Sequence, residues 1–143
     1  MKRICVAIQL VILSNCLCAQ TYEDNQITVT VTDTSKLYER VRQAIVFSNF
    51  MIHESSTRDT LITYPEKMYS KSVFVMAKVI IVENQVKISG AFGLGLENVW
   101  GKASWPKANQ EIVYYKGSDA WPELRHIAFK LDGKISYSKI EYP

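Results

Sequence analysis

His53 and His126 are the two histidines of this 143-residue chain, and histidine is the side chain whose ordinary pKa suits proton transfer near neutral pH. His126 follows Glu123 by three residues, a spacing that puts both on one face of a helix. With Glu123 or Asp119 as partner it could therefore serve in acid–base hydrolysis. A catalytic metal needs about three protein ligands, and neither HxxxH nor HExxH spacing occurs. Serines are plentiful, but none sits in a GxSxG elbow. Gly90, Gly93 and Gly95 crowd together as an anion-cradling loop would, yet their spacing is neither GxGxxG nor that of a P-loop; ending a strand with a bend or bulge explains them better. Glu97, Asp119 and Glu123 offer carboxyl groups for glycoside hydrolysis, which requires two at a set separation that sequence alone leaves open. No complete catalytic set emerges, and neither a metal nor a cofactor is expected.

Aromatic residues make a second constellation. Trp100, Trp105, Tyr114, Tyr115 and Trp121 fall between positions 97 and 121, two of the tryptophans each followed by proline. Exposed indoles stack on sugar rings, and Trp and Tyr anchor peptide partners. Trp121 fits a helical apolar stripe and belongs to a core, and one of Tyr114 and Tyr115 must point inward if their segment is a strand. Trp100, Trp105 and Tyr114 are therefore the candidate ligand-binding residues.

All three cysteines, Cys5, Cys16 and Cys18, lie in a segment with Lys2 and Arg3 at its start, an apolar run over 4–13 and small or polar residues after it. This three-part pattern is that of a secretory signal. Two processing routes are open. Cleavage near Cys18 or Ala19 gives a mature chain without thiols; alternatively Leu13-Ser14-Asn15-Cys16 acts as a lipobox and Cys16 carries acyl chains that tether the protein to a membrane. The apolar run is shorter than the roughly 20 residues that span a bilayer, so a soluble or lipid-tethered product is expected.

With residues 1–19 as signal peptide, residues 20–143 have the size of one domain able to fold on its own core. Loss of Lys2 and Arg3 lowers the net charge from +3 to +1. The remaining cations are scattered in sequence among acids, without the run that neutralises successive phosphates, and no nucleic-acid partner is expected.

The elements that would position these residues follow from periodicity. Residues 27–32 alternate Ile/Val with Thr, a half-buried strand. After the capping types Asp33-Thr34-Ser35, Leu37, Val41, Ala44, Ile45 and Ser48 form a helical stripe that fades near 49–52. Residues 60–64 read as a short strand stopped by Pro65. Residues 72–82 and 85–92 are strands joined by a tight turn at Glu83-Asn84; a loop follows over 93–109, then a short strand over 112–115. A second helix opens around Ser118-Asp119 with Pro122 in its first turn. Its stripe is Trp121, Leu124, Ile127, Ala128 and Leu131, and Asp132-Gly133 ends it. Residues 134–143 form an edge strand or a tail.

This order predicts an α+β fold, a curved antiparallel sheet with two helices packed on one face. The β-α-β-β-β-(β)-α order, and the opening Leu37-Tyr38-Glu39-Arg40 of the first helix behind a Thr/Val strand and a signal peptide, resemble a family of exported Gram-negative domains of unknown function. The resemblance covers residues 27–92 and departs from the family at Gln43-Ala44, where a Trp is usual. It implies a TATA-box-binding-protein-like fold and an exported location, and no assigned activity. A fold name carries no function with it. The expected function is a noncatalytic binding or interaction module of the cell envelope, with an envelope protein or glycan as partner. The alternatives are a carbohydrate- or peptide-binding domain using the loop tryptophans, and a small hydrolase.

Overall fold

A computed structural model describes residues 19–68, 73–94, 110–114 and 118–140. Strand β1 (Gln26–Thr30) precedes helix α1 (Leu37–Val46), followed by β2 (Thr60–Ile62), β3 (Glu66–Lys67), β4 (Val73–Val82), β5 (Gln85–Leu94), β6 (Gln110–Glu111), α2 (Ala120–Phe129) and β7 (Lys134–Ser138). The strands form one antiparallel sheet in the order β2-β4-β5-β1-β7, with β3 beside β4 and β6 beside β5. The architecture is the expected α+β one, with both helices over one side of the sheet.

Alternation in the strands decides which side that is. Ile27, Val29, Val75, Ala77, Val79, Val86 and Ile88 are buried together with both predicted helical stripes. Every residue of the first stripe is buried, Ser48 included, whose hydroxyl donates to the Ala44 carbonyl at 2.8 Å. Asn49 then takes a left-handed φ of 65°, and the Phe50 N–H returns to the Ile45 carbonyl, closing the helix end. The helix start departs from expectation. Asp33 accepts from the N–H and hydroxyl of Ser35 at 2.8 Å each, so it closes its own turn, and Lys36 occupies the capping position with φ 51° and no side-chain cap bond.

Three local features were not legible in the sequence. Glu66–Lys67 pairs with β4, although its composition is polar. The last short strand lies at Gln110–Glu111, ahead of the expected 112–115, because Ile112 turns into the core and gives its N–H to the Gly90 carbonyl at 3.0 Å. Beyond β2, Thr63 is fully buried, and its Oγ1 accepts the Ala77 N–H at 2.9 Å. That contact satisfies a backbone donor where β2 stops pairing. The C-terminal segment contributes β7, an edge strand in register with the whole of β1.

Candidate functional site

His53 sits in the turn between α1 and β2. Its Nδ1 accepts the Ser55 N–H at 3.0 Å and lies 2.8 Å from the Ser55 hydroxyl, while its ring packs 4.4 Å from that of Tyr64. The Tyr64 hydroxyl donates to Glu54 at 2.7 Å, and that carboxylate pushes the phenol pKa up. A serine beside an imidazole is the elementary nucleophile–base contact. Here the partners are two residues apart on an exposed turn, and the Ser56 N–H also returns to the His53 carbonyl. These contacts close the turn, and the His53 N–H, donating to the Ile62 carbonyl at 2.8 Å, fastens it to β2.

The predicted Glu123 and His126 do approach, Nδ1 to carboxylate 3.6 Å, on the outside of α2 with side chains 34% and 58% exposed. An ion pair this open to water is worth little. Asp119, at the N-terminal boundary of the same helix, is exposed and makes no side-chain cap bond to it. Glu97 lies outside the described residues. No cluster of three metal-ligating side chains occurs among the described residues, and no helix among them is long and apolar enough to cross a membrane.

Of the aromatic candidates, Trp100 and Trp105 lie outside the described residues, as do Tyr115 and Cys16. Tyr114 is half-buried, its ring 5.9 Å from that of Trp121, and its backbone bonds to Asp24 and Glu23 tie it to the start of β1. Trp121 itself is 1% exposed and lies in the core, as its stripe position predicts.

A cavity of about 470 Å³ opens at the start of α1 beside the β4–β5 turn, with Lys36, Glu39, Arg58, Asp59 and Glu83 on its walls. Charges of both signs face one another there. Near β3, partial burial raises the Glu66 pKa, partly offset by an N–H bond from Met51.

The sheet side facing away from the helices has a more uniform chemistry. Register places outward residues in cross-strand rows, three of which lie side by side: Thr60, Ile80, Lys87, Thr28 and Ser136 in one, Ile62, Lys78 and Ser89 in the next, and Val82, Gln85, Thr30 and Lys134 on the other side. These rows hold three lysines, five hydroxyl side chains and no carboxylate. Strands lie about 4.8 Å apart and rise about 3.3 Å per residue, so Lys78 and Lys87 stand about 8 Å apart and Lys134 about 12 Å further along the same diagonal. The ion pairs among the described residues, Arg40 with Asp33, Lys139 with Glu23 and His126 with Glu123, leave this diagonal untouched. The row beyond Lys78 and Ser89 holds Met76, Ala91 and Glu111 on this same side, and the Glu111 carboxylate there accepts a hydrogen bond from Asn25. Periodicity identified the wet face of β1, but the lysine diagonal joins positions up to 56 residues apart and depends on register. Compared with protein-family models and with curated proteins, the sequence matches none.

Proposed function

We propose that the protein is a noncatalytic interaction module that presents the helix-free side of its sheet to another component of the cell envelope. The observation that carries this reading is the cross-strand array itself: hydroxyl and lysine side chains ordered by five strands, on a rigid element that needs no rearrangement to bind. Among the described residues, the imidazole contacts close a turn or lie on an open helix surface, which gives a hydrolase less support. The N-terminal signal pattern, and the resemblance to exported domains with a TATA-box-binding-protein-like fold, support an envelope location. Acylation at Cys16 would hold the module at a membrane, and an intact-mass measurement separates that product from a chain beginning near Gln20.

Arginine placed at Thr28 or Ser89 puts bulk in the middle of the array without touching the core. Such variants are expected to lose co-purification of the envelope partner while keeping the parental Tm. Arginine at Gln43, exposed on α1, should leave partner recovery unchanged. Equal recovery with all three variants would contradict the proposal.

A further inference from the structure

The helix-free side divides into two zones. Toward β2 and β4 it carries Ile62, Ile80 and Val82, the last 44% exposed, with Met76 and Phe74 further along β4. Across β4, β5 and β7 it carries the diagonal of Lys78, Lys87 and Lys134, spaced by Thr28, Thr30 and Ser89. We infer that this surface docks an acidic protein segment in which apolar side chains alternate with Asp or Glu, an inference that rests on the proposed binding role of the same face and names its partner class.

Charge complementarity is the first argument. Three amines within roughly 20 Å, without a carboxylate in their rows, repel one another and hold a local positive potential that an acidic partner relieves. The aliphatic zone is the second. A polyanionic sugar chain would satisfy the amines and hydroxyls but leave Ile62, Ile80 and Val82 in water, forgoing the free energy of covering apolar surface. An acidic peptide with aliphatic residues covers both zones. Sheet twist is the third: a twisted surface of five strands meets a planar anionic bilayer only along part of its width, whereas a flexible segment follows it. The diagonal needs a segment of at least about six residues in extended form.

The test is fluorescence anisotropy on the whole protein with a labelled peptide of alternating Glu and Leu, about ten residues long to exceed that span. A Gln-for-Glu peptide, polygalacturonate and phosphatidylserine-containing vesicles serve as competing probes. Saturable binding of the Glu peptide is expected, weakening severalfold as salt rises from about 0.05 to about 0.5 M because screening shortens the reach of the amines. The double variant K78E/K87E should lose at least tenfold in affinity with an unchanged Tm, and K130E, on the helical side, should bind as the parent does. Failure of the Glu peptide, or equal binding of the Gln peptide, overturns the partner class. If polygalacturonate or vesicles bind instead and K78E/K87E abolishes their binding, the partner class fails while the face remains a binding surface. If no probe responds to K78E/K87E, the proposed role of the face fails as well.

Discussion

Replacing Trp121 by alanine is expected to lower stability by about 3–5 kcal/mol, the usual cost of emptying a large aromatic site in a core. Trp121 is 1% exposed between the rings of Tyr114 at 5.9 Å and Tyr137 at 6.2 Å, so the segment after β6 and strand β7 both border the space it would vacate. Against a typical domain stability of about 5–15 kcal/mol, such a loss moves a urea midpoint far toward zero. W121F should cost markedly less: it keeps most of the ring volume and removes the indole N–H, which is buried with no hydrogen-bond partner among the described residues. Were Trp121 a ligand-binding residue instead, W121A would leave the urea midpoint in place.

The second large effect is expected at Gly90. A Cβ there would stand 2.5 Å from the Met76 carbonyl oxygen, 2.8 Å from Leu124 Cδ2 and 3.0 Å from Ile112 Cδ1. Two of these neighbours are side chains, but the first is the backbone of the adjacent strand, which cannot rotate away. G90A should therefore cost about 1–3 kcal/mol, as overpacked sites do, and G90V more. Adding L124A to G90A relieves one contact and leaves the Met76 oxygen in place, so thermal melts should show no restoration of the parental Tm. An unperturbed melt for G90A would show that α2 does not press on β5 at this point. The glycine cluster therefore has its physical explanation partly in packing: Gly90 and its register partner Ala77 keep this part of the sheet low enough for Leu124 and Ile112 to approach.

What the sequence made legible was whatever depends on near neighbours. Both helical stripes, the alternation in β1 and the Glu83-Asn84 hairpin turn follow from spacings of two to four residues, and burial agrees with each of them. Features set by distant partners were not legible. Glu66–Lys67 is a strand because β4 runs past it. Ile112 leaves the ladder because Gly90 opens space over β5. Asp33 reads as a helix cap by type, but its carboxylate is engaged by Ser35, which also lowers its pKa. The candidate binding surface belongs to the same class. Lys78, Lys87 and Lys134 look scattered along the chain and become one diagonal only when β4, β5, β1 and β7 are paired in register.

Site-specific photo-crosslinking in envelope extract reads out which side of the sheet meets the partner. A photoreactive side chain at Thr28 or Ser89, in the middle of the helix-free face, should yield one discrete crosslinked protein whose captured segment is acidic. The same group at Gln43 or Lys130, on the helical side, should yield none. Crosslinks confined to the helical positions, or equal at all four, would show that the helix-free face is not the binding surface.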